Sequence, residues 1–151
     1  MNPDRLSRIV ERYTRIYKAE PEKNGSFDAI EAELDVRLPQ DMREIGSFYS
    51  GGIVGPIEHL SFRRGKGANV LDVTASYRDK LGLPDGYVIL SAPPGSIIVL
   101  ETDRAQPDAS RVLWLDDEDA FRLARNEPMQ YEVTEFPDYA TFFEFMVAEA
   151  E

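Results

Sequence analysis

The chain has 151 residues, 42% of them hydrophobic and 30% charged, which suits one globular domain with its own core and excludes disorder. It has no cysteine, which excludes disulfides, thiolate zinc sites and a thiol nucleophile together. The net charge of −11 is segregated: residues 1–100 carry 13 basic and 14 acidic side chains, whereas residues 101–151 carry 4 and 14.

That acidic field repels phosphates, which argues against nucleic acid as a partner, and it attracts basic surfaces. No apolar run approaches the roughly 20 residues of a membrane span. The first residues, MNPDRLSR, lack the apolar centre of a signal peptide, so the expected location is cytoplasmic.

The spacing of Leu6, Ile9, Val10, Tyr13, Ile16 and Tyr17 predicts an amphipathic helix over 3–19. Arg5, Arg8, Arg12, Arg15 and Lys18 occupy its other face. Such a basic face can mark a membrane surface, be solvated, or lie over the acidic C-terminal third. Pro21, Asn24 and Gly25 end this helix, and Ser26 is placed to cap a second one burying Phe27, Ile30 and Leu34. A third helix is expected over 40–50, with Pro39 at its start and Gly51-Gly52 as its stop.

A strand is expected over 57–62, followed by a basic loop from Arg63 to Gly67 that includes Lys66. Asn69 and Asp72 read as the start of a helix that runs to Gly82. Three strands follow, at 87–91, 96–101 and 111–115, separated by turn chemistry at Pro93-Pro94-Gly95 and a polar loop over 103–110. The acidic run from Asp116 to Asp119 closes the third of these. A further strand over 130–135 and a last helix capped by Asp138 complete the chain, as one domain over 1–151. Helices, then a strand meander, then a closing helix predict an α+β fold with a mostly antiparallel sheet.

No nucleophile elbow, phosphate-binding loop or dinucleotide fingerprint is present. His59, the only histidine, has Ser61 on the same strand face, but no third group is placed to orient the pair. Asp116-Asp117-Glu118-Asp119 offers hard oxygen ligands without the spacing of a calcium loop. Trp114 alternates with Leu113 and Leu115, which suggests a central strand covered on both faces; it is either core or a partner anchor. No catalytic residue, metal site or cofactor is assigned, and the chain is read as a non-enzyme.

The segment from Ile30 to Ile45, with Leu38-Pro39 at its centre and Ser50-Gly51-Gly52 after it, resembles the opening signature of the SUKH superfamily. The strands beginning at Tyr87, Ser96 and Arg111, with Trp114 in the last, resemble those that follow in the family, and Tyr139 to Met146 resembles its terminal helix. The similarity spans 26–148, with Ser50 standing where the family often has asparagine. It implies a helix-flanked antiparallel sheet and a protein-binding role without shared catalytic residues. Bacterial members are largely immunity proteins that neutralise a toxin domain, often a nuclease; fungal relatives regulate cell-wall synthesis as scaffolds.

The charge map suits the first of these roles, because a nuclease presents a basic surface. Glu101, Asp103, Asp108, Asp116, Asp117, Glu118 and Asp119 are the candidate contacts for a basic toxin domain, with Glu127, Glu132 and Glu135 adding to the field.

Overall fold

The computed structural model describes residues 1–65 and 67–151, with only the backbone of Asn24; Lys66 of the expected basic loop lies outside the described residues. Six α-helices and two antiparallel sheets are present among them, so the fold is α+β, as the order of elements predicts.

Helix α1 (Pro3–Thr14) starts where Asn2 accepts the Asp4 amide at 2.8 Å, with proline in the first turn where no amide hydrogen is needed. It ends five residues before the predicted stop. The Thr14 hydroxyl donates back to the Val10 carbonyl, the Tyr17 amide still bonds the Tyr13 carbonyl in a last turn, and the Tyr17 hydroxyl accepts the Gly55 amide at 2.9 Å. Glu20 and Glu22 then pair by backbone with Phe48 and Gly46, which requires extended chain.

The basic face predicted for this helix is divided: Arg8, Arg15 and Lys18 are exposed, Arg15 pairing with Glu11 one turn back, whereas two arginines reach C-terminal acids. Arg5 pairs with Asp138 and Glu144, and Arg12 with Glu151.

Helix α2 (Asn24–Leu34) buries Phe27, Ile30 and Leu34 as predicted. Ser26 is not its cap. The helix begins two residues earlier, where the Glu22 carboxylate accepts both the Lys23 amide and the Ser26 hydroxyl. Helix α3 (Gln40–Ile45) begins after Pro39 and is shorter than expected, because the chain turns through Gly46 to Tyr49 in tight backbone hydrogen bonds.

A two-stranded hairpin follows, β1 (Gly52–Val54) with β2 (Ile57–His59). The strand predicted over 57–62 therefore stops at His59. Leu60 instead donates its amide to Leu90, tying the hairpin to the main sheet.

Helix α4 (Val70–Leu81) shows its predicted signals at both ends. Asn69 accepts the Asp72 amide and donates to the Asp72 carboxylate, and Gly82 takes the left-handed conformation at φ 78°.

The main sheet has the order β3 (Tyr87–Ser91), β4 (Ser96–Glu101), β5 (Arg111–Asp116), β6 (Thr134–Phe136), with every neighbour antiparallel. Strand β6 overlaps the end of its predicted range, starting four residues later and ending one residue later. Between β5 and β6 stands a helix that the sequence reading left as loop, α5 (Asp117–Ala124). Helix α6 (Tyr139–Ala150) closes the fold, capped by Asp138.

Residues Ile97 to Leu100 of β4 are all fully buried, so both faces of the sheet are covered. Helix α4 packs on β3, α5 on β4 and β5, and α6 on β5, β6 and the hairpin. No helix among the described residues is long and apolar enough to cross a membrane.

Candidate functional site

The seven candidate carboxylates do not form one patch. Strands β4 and β5 pair so that Glu101 lies opposite Arg111 and Asp116 lies opposite Ser96. Five residues at about 3.4 Å each put the two ends about 17 Å apart.

At the first end the acids are largely engaged within the fold. Arg111 joins Glu101 at 2.7 Å and Glu135 at 2.8 Å, and the Tyr87 hydroxyl donates to Glu101. Burial pushes the Glu101 carboxyl up, but the hydrogen bonds from Arg111 and Tyr87 outweigh it and hold the group below the usual carboxylate range. Asp103 accepts the amides of Ala105 and Gln106, and Asp108 accepts the Gln40 amide that opens α3.

At the other end the acidic run is the first turn of α5, which is where carboxylates favour the helix dipole. Asp116 is the cap, accepting the Glu118 amide at 2.9 Å. Asp117 and Glu118 face solvent.

Asp119 does not. It is 0% exposed and accepts from Arg122, from the Gln130 amide and from the Tyr131 amide at 2.8–2.9 Å. Burial pushes its carboxyl up, but these donors prevail and its pKa is lowered. The expectation that Asp119 faces a partner is therefore corrected: it is an internal anchor, because the loop after α5 folds back onto it. The run also does not converge on a cation, since Asp116 turns back along the helix and Asp119 turns inward.

That anchor has a consequence at the surface. By fixing residues 130–131, Asp119 holds Tyr131 beside α5; Phe121 of the helix and Met129 and Tyr131 of the loop are exposed large apolar side chains. Arg122 stacks over the Tyr131 ring at 5.7 Å, and the Tyr131 hydroxyl donates to Glu118. Exposed aromatic and methionine side chains are enriched at protein-binding surfaces, whose rims are polar. Sequence reasoning missed Phe121, Met129 and Tyr131; the available signal was a cap at Asp116 followed by Ala120 and Leu123 at helical spacing.

His59 is settled by its surroundings. The ring is 1% exposed, Nδ1 donates to the Leu60 carbonyl at 2.7 Å, and Nε2 accepts from the Tyr139 hydroxyl at 2.9 Å. Tyr49, Phe62 and Phe142 surround it. Burial brings its pKa down to about 4. The Ser61 hydroxyl bonds to Arg63 instead, so the His59–Ser61 pair considered from the sequence does not form.

Against known proteins, the chain matches the SUKH_5 family, described as SMI1-KNR4 cell-wall, over residues 6–129. It belongs to that family. The match takes in α1, which the resemblance read from sequence left out, and stops before β6 and α6. No protein of curated function matches the chain. SUKH domains are protein-interaction modules.

The family's sequence signature has a physical basis in this SUKH domain. Leu38 is buried and donates its amide to Glu31, while buried Pro39 occupies the cap position of α3. Gly51 and Gly52 both have φ near +100°. A Cβ on Gly51 would stand 2.6 Å from the Leu60 carbonyl oxygen and 2.7 Å from the Ser61 Cα, whereas one on Gly52 would meet nothing within 4 Å. Gly51 is thus needed for a close crossing of chains, and Gly52 only for its backbone angle. Trp114 is half-buried in central strand β5; its indole N–H donates to Ser96 at 2.9 Å and its ring meets Phe145 edge-on.

Proposed function

We propose that this SUKH domain is an immunity protein, which binds and neutralises a cognate basic toxin domain through the surface of α5 and the loop that follows it. The observation carrying this reading is the occurrence, on α5 and the segments flanking it, of exposed Phe121, Met129 and Tyr131 with Asp116, Asp117 and Glu118. Aromatic side chains supply contact area at low entropic cost, and the carboxylates draw in a basic surface and discourage the wrong partner.

The charge balance within the fold supports the same assignment. Acids of the C-terminal third at 138, 144 and 151 are matched by arginines of α1, and Glu101 and Glu135 by Arg111. Asp116, Asp117 and Glu118 remain facing solvent at the start of α5, with Glu127 and Glu132 exposed on the segment that follows it. The role needs no catalytic group, and the one histidine is committed to the core.

A second reading keeps the surface and changes the partner: a regulatory scaffold that contacts several proteins of cell-wall synthesis, in line with the family's description. Expression of the gene product encoded beside this one, with and without this chain, separates the two. The immunity reading expects a toxic neighbour, growth restored by this chain, and growth lost again when Phe121 and Tyr131 are changed to serine. A harmless neighbour, or rescue that survives those changes, counts against it.

A further inference from the structure

The cleft between α4 and α5 is lined by Ser76, Tyr77, Lys80 and Leu81 on one wall and by Asp117, Ala120 and Phe121 on the other. At about 230 Å³ it lies below the roughly 300–1,000 Å³ typical of small-molecule sites, and it has room for one long side chain. Its walls are mostly apolar. Its one carboxylate, Asp117, makes no side-chain hydrogen bond or ion pair among the described residues, in contrast to Asp116, Glu118 and Asp119 around it. Tyr77 and Asp117 both line this cleft, and burial chiefly, then the Asp117 charge, push the Tyr77 hydroxyl pKa up.

We propose that this cleft receives an arginine side chain from the basic partner, its stem lying along Leu81 and Ala120, its guanidinium between the Tyr77 and Phe121 rings and paired with Asp117. This rests on the reading that the domain binds a basic protein, and it names where the first contact is made. Arginine is favoured over lysine because its planar, weakly hydrated head stacks on aromatic faces while still donating to a carboxylate. A second copy of this chain is disfavoured, since the cleft opens beside the acids of α5 and two such faces repel. Lys80 is the one cation in the wall, so it opposes the incoming guanidinium.

The test uses the whole chain and a defined probe. Amide resonances are followed by NMR while N-acetyl-arginine methylamide is added, with the citrulline analogue as the neutral isostere and the lysine analogue as the simple cation. The expected result is a millimolar response confined to residues 76–81 and 117–121, absent with citrulline and weaker with lysine. Asp117→Asn should weaken it about fivefold, the scale of one partly exposed ion pair with its stacking. Lys80→Met should strengthen it, an effect opposite in sign that damage to the fold does not mimic.

Equal responses to arginine and citrulline, no response at these residues, or shifts that depend only on protein concentration (a second copy in the cleft) would each overturn the proposal. Failure of the titration while the toxin is still neutralised sinks the cleft and leaves the function standing. A specific arginine response supports the cleft even where the neighbouring gene product proves harmless.

Discussion

The His59–Tyr139 pair makes a quantitative demand on stability. His59 is the only histidine, it is buried, and both ring nitrogens are used. Its pKa is about 4 in the fold against 6.5 when exposed, so the native state holds the neutral ring. Above pH 6.5 neither state binds the proton and His59 makes no pH-dependent difference. As pH falls from 6.5 towards 4 the unfolded chain takes up a proton that the native chain refuses, and stability drops. At 1.36 kcal/mol per pH unit the loss reaches about 3 kcal/mol and then levels off below pH 4.

Carboxylates titrate over part of the same range, so the measurement is a difference. Urea unfolding of the native chain and of His59→Gln is compared at a series of pH values, and the gap between them should shift by about 3 kcal/mol in favour of the variant between pH 7 and pH 4. The single imidazole Cε1 proton gives a direct check by NMR. A midpoint near 6.5, or a gap that does not change with pH, would refute the buried, doubly bonded ring.

Three further expectations follow from other contacts. Asp119→Ala removes the acceptor for Arg122 and for the amides of Gln130 and Tyr131, which should cost about 2 kcal/mol and speed amide exchange at those two residues; unchanged exchange would mean the loop is held by something else. Gly52→Ala should cost about 1–2 kcal/mol for its left-handed backbone alone, and Gly51→Ala about 3 kcal/mol or more, because its new Cβ must also displace the Leu60–Ser61 backbone. Equal chemical-denaturation midpoints for the two variants would contradict the close crossing. Phe121→Ser and Tyr131→Ser should each change stability by less than about 0.5 kcal/mol yet weaken partner binding by about 2 kcal/mol, a split that calorimetry and thermal melts together would reveal.

The parts of the fold legible in the sequence are those with local chemistry at both ends. Asn69 and Gly82 bracket α4, Asp138 marks α6, and the turn residues at Pro93-Pro94-Gly95 separate two strands whose apolar runs are unbroken. The apolar spacing of α1 continues through Ile16 and Tyr17, while the extended chain that follows is set by the pairing of Glu20 with Phe48 and Glu22 with Gly46, 28 and 24 residues on. Helix α5 is hard to read because its apolar residues, Ala120, Phe121, Leu123 and Ala124, span little more than one turn and its first turn is all carboxylate; a run of acids reads equally as a loop or as a helix start.

The acidic site was legible in composition but not in space. Closeness in sequence grouped Glu101 with Asp116, and antiparallel pairing put them at opposite ends of neighbouring strands. The burial of Asp119 depends on amides that arrive 11 and 12 residues later, which no local pattern encodes.

The central claim is that the face around α5 meets a basic partner. It is tested most directly by the association rate with the neutralised toxin domain, measured by stopped flow at low and at physiological salt. The native chain is compared with Asp116→Asn/Asp117→Asn/Glu118→Gln, in which asparagine preserves the cap at 116. The triple variant should associate at least about tenfold more slowly at low salt and lose most of its salt dependence. An unchanged rate with an unchanged salt dependence would place the interface elsewhere on the molecule.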